Sequence, residues 1–138
     1  MVVRVKLKIK SKKGEVITKA LINSGYESEE PEILVPVNIA RNLGLYPKLP
    51  TGASVEVYKV AGGGKERFIS IKKAVNVQIV TEDRSSEEVP CNLIISEKEE
   101  EILVSDKLSS KLGIVLLDIG EGLWCFKDEI GEKVRKSE

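Results

Sequence analysis

A chain of 138 residues is long enough for one domain with one core, and 41% hydrophobic with 32% charged residues is the composition of a soluble globular protein. Lys+Arg and Asp+Glu number 22 each, so the net charge is zero and bulk electrostatics do not favour a nucleic-acid partner. Histidine is absent, which excludes Ser-His-Asp and Cys-His triads and histidine zinc ligands.

The N-terminal stretch alternates. Val3, Val5, Leu7 and Ile9 point one way and Arg4, Lys6, Lys8 and Lys10 the other, which predicts a half-buried strand. "SKKGE" is expected to be a hairpin turn with Gly14 at positive φ, and residues 15–22 return as a second strand ending in Ala20-Leu21-Ile22. Asn23-Ser24-Gly25 then makes a tight turn, which by itself is an ordinary Asx-type turn. The acidic loop "YESEEPE" leads to a third strand at Ile33-Leu34-Val35. Val37, Ile39, Ala40 and Leu43 recur at helical spacing, and Gly44 stops the helix. "VEVYKV" and "ERFISIKKAVNVQIV" are predicted strands joined by the glycine tip Ala61-Gly62-Gly63-Gly64.

"TEDRSSEE" reads as a charged surface turn, "VPCNLII" as a strand, "EKEEE" as a solvated run and "ILV" as a short buried strand. "SDKLSSKLG" is a short helix capped by Ser105 or Asp106 and ended by Gly113. "IVLLD", ending at Asp118, and "LWCF" are expected to close the sheet, with Trp124 as core or interface packing. The polar tail "KDEIGEKVRKSE" is expected to fray. Mostly strand with two short helices, the chain is all-β and the expected architecture is a closed barrel. The expected division is a single domain over 1–127 and a polar C-terminal tail over 128–138.

Other features point to blander roles. No apolar run is long enough to span a bilayer, and the alternating N-terminus has no signal-peptide core, so a cytoplasmic location and no membrane partner are expected. Cys91 and Cys125 form no CxxC pair, and each lies in an apolar run, which favours buried inert thiols over a disulfide. Abundant Lys and Glu with one Gln and one Met lean toward a thermophilic source. The basic stripe Arg4, Lys6, Lys8, Lys10, Lys12 and Lys13 has no interleaved aromatics, so it reads as a solvated strand face rather than a nucleic-acid grip. Gly62-Gly63-Gly64-Lys65 lacks the spacing of a phosphate loop. One of Glu27, Glu29, Glu30 and Glu32 could supply a carboxylate to a site, or the four a metal cluster, but "YESEEPE" reads rather as an exposed acidic loop. No metal and no cofactor are expected.

Two segments repeat. "EILVPVNIARNLGLYP" and "EILVSDKLSSKLGIVL" match over Glu32 to Leu45 and Glu101 to Ile114. The order of parts resembles the retropepsin-like aspartic proteases, the retroviral-type half-size fold. The first motif of that family, apolar strand, Asp-Thr/Ser-Gly, apolar strand and short helix ending in Leu-Gly-Leu, is matched by "ALINSGYESEEPEILVPVNIARNLGL". Its flap hairpin is matched by "VYKVAGGGKERF" and its second motif by "ILVSDKLSSKLGIVLLD", so the resemblance runs from about Val3 to Phe126. Two positions depart from the pattern: Asn23 stands at the catalytic Asp, and Val104 at the glycine of the second motif.

The resemblance implies a homodimer in which residue 23 of each copy meets its mate at a twofold axis, and a groove for an extended peptide or protein substrate. Family catalysis uses two aspartates that share one proton. An amide has no proton to give or accept near neutral pH, so Asn23 implies negligible hydrolysis. Ser24 is implied to brace the loop and Gly25 to allow its turn, with Tyr26, Ala61, Gly62, Gly63 and Gly64 at the substrate. Three origins of Asn23 stay open: a natural pseudo-protease, an inactivating substitution, or a resemblance of fold alone. A non-enzymatic peptide-binding or dimerisation module is the alternative on the same fold.

Overall fold

A computed structural model describes residues 2–22, 25–59 and 62–138, with the backbone but not the side chains of Tyr58 and Lys59. The first strand, β1 (Arg4–Lys10), buries Val5, Leu7 and Ile9 as its alternation predicts, and pairs antiparallel with β2 (Glu15–Ile22). The turn between them does not use a positive φ at Gly14. Glycine is needed there for close approach instead: a Cβ would lie 2.6 Å from the backbone oxygen of Asn42.

After the 23–31 loop come β3 (Glu32–Pro36) and the short helix α1 (Val37–Asn42), which buries Ile39 and Ala40. The hairpin is β4 (Ser54–Lys59) and the long β5 (Lys65–Ile79), with Gly62 and Gly63 both at positive φ at its tip. β6 (Val89–Ser96), β7 (Leu103–Val104) and α2 (Asp106–Leu112) follow. The sheet order is β1-β2-β7-β3-β6-β5-β4, and β5 also pairs with β1, so the pairings return to their start as a barrel with β4 appended. β5 bends enough for this because a bulge lies between Ile71 and Val75. There Lys73 takes a φ of 49°, and its N–H donates to Asn92 Oδ1 at 2.9 Å.

The repeat is structural. β2 runs parallel to β7, and β3 parallel to β6, with Leu21 opposite Leu103 in the first pair and Ile94 opposite Leu34 in the second. Between them β3 and β7 pair antiparallel, with Leu34 opposite Leu103, so a local twofold passes between those two leucines. Val104, where the second motif departs from glycine, is fully buried and pairs with Ile22 and Ile33.

The helix cap at Ser105 joins the two repeats. Its Oγ accepts from Leu108 N at 3.2 Å and from Glu32 N at 3.1 Å, which settles the cap in favour of Ser105 over Asp106. Ser105→Ala removes the cap and orphans the Glu32 N–H, so a loss of about 2 kcal/mol is expected in urea unfolding. An unchanged midpoint would show that water replaces the hydroxyl.

Two expectations are corrected. β8 (Ile114–Asp118) and β9 (Leu123–Phe126) do not close the main sheet; with β10 (Arg135–Lys136) they form a separate three-stranded sheet. The C-terminal segment does not fray: β10 pairs with β9, and Glu138 N donates to Arg4 O at 2.9 Å. Arg135 anchors it. Its guanidinium meets Glu129 at 2.7 Å and Asp83 at 2.8 Å, and lies 5.1 Å from the Phe126 ring centroid. Trp124 is buried edge-on to Phe126. Among the described residues no helix is long and apolar enough to cross a membrane.

Candidate functional site

The loop after β2 is held at both ends. Leu21 N donates to Ile102 O at 2.8 Å and Ile22 N to Val3 O at 3.0 Å; beyond the turn, Tyr26 O accepts from Asp106 N at 2.8 Å. Asn23, Ser24 and Ala61, three of the residues singled out from the sequence, lie outside the described residues. Gly25 and Tyr26 line a cavity of about 510 Å³ together with Glu32, Leu34, Glu56, Phe68, Ser70, Ile94 and Leu103. Gly62, Gly63 and Gly64 sit at the hairpin tip and are not among this described lining.

The cavity follows from strand alternation. Ile33, Val35, Leu93, Ile95 and Val104 point into the barrel, so Leu34, Ile94 and Leu103 point out of it. Register puts these three in one row, because Leu34 is opposite both Leu103 and Ile94, and Ser70 is opposite Ile94. The hairpin supplies the other wall, where Glu56 faces Phe68 across β4 and β5. The result is an apolar floor beside Gly25 and Tyr26, with the hairpin along one side.

Glu32 departs from its expected place. It does not belong to an exposed loop but opens β3, half-buried, with Oε1 accepting from Tyr26 Oη at 2.5 Å. Burial, followed by this hydrogen bond to Glu32, raises the Tyr26 hydroxyl well above the usual phenol range, so Tyr26 remains a donor. Nearby Cys91 is pushed up to about 12, first by burial and then by the Glu32 charge. It is therefore a thiol rather than a nucleophilic thiolate. Cys91 and Cys125 are both buried and free. No group of three or more Cys, Asp or Glu suited to a metal ion is found among the described residues.

Of the residues singled out from the sequence, Gly25 and Tyr26 line this cavity, and Glu32, read there as part of an exposed loop, joins them; Leu34, Glu56, Phe68, Ser70, Ile94 and Leu103 were not singled out. For Leu34 and Leu103 a signal was present, since both occupy the third position of the repeated Glu-Ile-Leu-Val. The basic stripe is partly neutralised: Arg4 pairs with Glu101, and Lys10 meets Glu88 at 3.5 Å.

No protein-family model matches the chain, and no curated protein matches it. Among solved structures it is similar to the retroviral protease-like domain of Ddi1 from Leishmania major, with a TM-score of 0.55 and 12% sequence identity over 93% of this chain and 91% of that one. At this identity the likeness speaks for the architecture, and it agrees with the strand order and paired repeats above: the chain has a retropepsin-like β fold.

Proposed function

We propose that this chain is a retropepsin-like protein that binds an extended peptide beneath the β4–β5 hairpin as a homodimer, and that Asn23 leaves it without peptidase activity. The observation that carries this reading is the cavity. Its walls come from Gly25 and Tyr26, which directly follow Asn23-Ser24 in the chain, from the repeat leucines and from the hairpin. A peptide lying there would run beside residue 23, with side chains against Leu34, Ile94 and Leu103. Main-chain pairing to strand edges would supply affinity, and the apolar row would supply selectivity.

The chemistry at residue 23 decides the outcome. A dyad needs one carboxylate to take a proton from water and one carboxylic acid to polarise the scissile carbonyl. Two Asn side chains keep the shape but can do neither. Two amides also carry no mutual repulsion, so the twofold contact would not depend on pH. The same facts favour a second reading, a binding or dimerisation module whose groove never carried out hydrolysis.

Titrating the isotope-labelled protein with a pool of eight-residue peptides tests the proposal. Amide shifts confined to Gly25, Tyr26, Leu34, Leu103 and the hairpin are expected, with a sedimentation mass twice that of one chain. A monomer with no peptide-dependent shift would remove the basis of the reading.

A further inference from the structure

We propose that the cavity under the hairpin is a subsite for a basic side chain, Lys or Arg, of the bound peptide, with Glu32 as the partner of its cation. This rests on the peptide-groove reading above and adds what that groove selects.

The lining divides by chemistry. Leu34, Ile94, Leu103 and Phe68 make an apolar surface, and Glu32 and Glu56 bring two carboxylates from separate elements, β3 and β4. No Lys or Arg is among the described lining residues. Long basic side chains have this same division, an aliphatic stem with a charged head. A stem laid on the leucines would carry its cation to Glu32.

Glu32 is held in place for that role. Its N–H donates to Ser105 Oγ at 3.1 Å, its carbonyl accepts from Ser105 N at 3.1 Å, and its Oε1 accepts from Tyr26 Oη at 2.5 Å. Tyr26 is a neutral donor, so it orients the carboxylate and leaves its charge uncancelled. Oε2 accepts no hydrogen bond among the described residues. Elsewhere carboxylates have found cations: Glu97 pairs with Arg67, Asp128 with Arg84, and Asp83 with both Lys133 and Arg135. Glu32 makes no salt bridge among the described residues, although it is half-buried.

The selection is also negative. A leucine in the cavity would strip water from Glu32 without supplying a partner, and an acidic side chain would add a like charge. A basic residue is then favoured at the one peptide position that enters this cavity, and not at its neighbours, whose side chains alternate away.

The test is an array of eight-residue peptides in which each position in turn is Lys, Arg, Gln, Leu or Glu, with binding read by fluorescence anisotropy. At one position Lys or Arg is expected to bind at least tenfold tighter than Leu or Glu, and the difference should shrink as salt is raised. Glu32→Gln keeps an acceptor for Tyr26 Oη and should reduce the preference to under threefold, weakening Lys and Arg peptides and tightening Leu peptides, which no longer desolvate a charge. Equal binding of Lys and Leu peptides, or a preference that survives Glu32→Gln, overturns the basic subsite while leaving the groove intact. Absence of binding by every peptide overturns the groove and the subsite with it.

Discussion

Asn23→Asp is expected to convert a chain with no detectable peptidase activity into one that cleaves extended peptides at acidic pH, a gain of roughly 10³-fold or more. The substitution exchanges an amide for a carboxyl of nearly the same shape, so the turn between β2 and β3 has no steric reason to change. In the proposed homodimer it would install two carboxyls at once. Two like charges so close do not both ionise, so one titrates low and its mate high, and activity should follow a bell-shaped pH profile set by the pair. The same repulsion should weaken the dimer of the Asp form at neutral pH relative to the Asn form. Cleavage by the Asp form alone, blocked by an aspartic-protease inhibitor, would identify a protease scaffold silenced at one side chain. An Asp form that dimerises and binds peptide but cuts nothing would assign the groove to binding.

Arg135→Ala is expected to lower stability by about 3 kcal/mol, a fall of roughly 10 °C in the thermal midpoint. The Arg135 side chain is 9% exposed and Glu129 10%, so the deletion leaves a buried carboxylate with the Phe126 N–H at 3.0 Å and, as its remaining cation among the described residues, Arg84 at 3.4 Å. The cation also covers the Phe126 and Trp124 rings, and that packing goes with it. Acid attacks the same joint. Arg135 holds the Glu129 carboxyl down to about 2, and Arg135 with Lys133 holds Asp83 well below the usual carboxylate range. Groups depressed on folding contribute their stability above the unfolded pKa, near 4, and lose it as pH falls through the folded value. The C-terminal segment should therefore stay docked at pH 5 and loosen between about pH 4 and 2. Amide exchange at Trp124 and Arg135, whose strands pair directly, reads this out. Arg135→Ala should flatten the pH dependence, and an Arg135→Met, Glu129→Leu double variant should recover most of the midpoint. If the single variant melts like the parent at every pH, the anchor lies elsewhere. The docked state at pH 5 matters to the first experiment, because the acid assay needs an intact scaffold.

Much of the barrel was legible in the residues. Alternation at Val3, Val5, Leu7 and Ile9 gave β1 its inner face, and "ERFISIKKAVNVQIV" marked β5 although a bulge interrupts its period. Gly113 ended α2 in the left-handed region, as expected of a helix-terminal glycine. The Glu-Ile-Leu-Val repeat proved to be a pair of central strands related by a local twofold. The failures share one cause. Gly14, the C-terminal segment and Glu32 are each governed by a residue distant in the chain: Asn42, Asp83 and Ser105.

Sequence by itself determined the strands, the two helices, the repeat and the presence of an amide where the resembled family has a carboxyl, because these depend on local period and residue type. Tertiary structure decided the rest. Only register across β7, β3, β6 and β5 brings Leu103, Leu34, Ile94 and Ser70 into one row, and only the fold of the hairpin sets Glu56 and Phe68 over it. A strand pattern states which residues share a face, but not which strands will lie side by side. The cavity and its two carboxylates are properties of that adjacency.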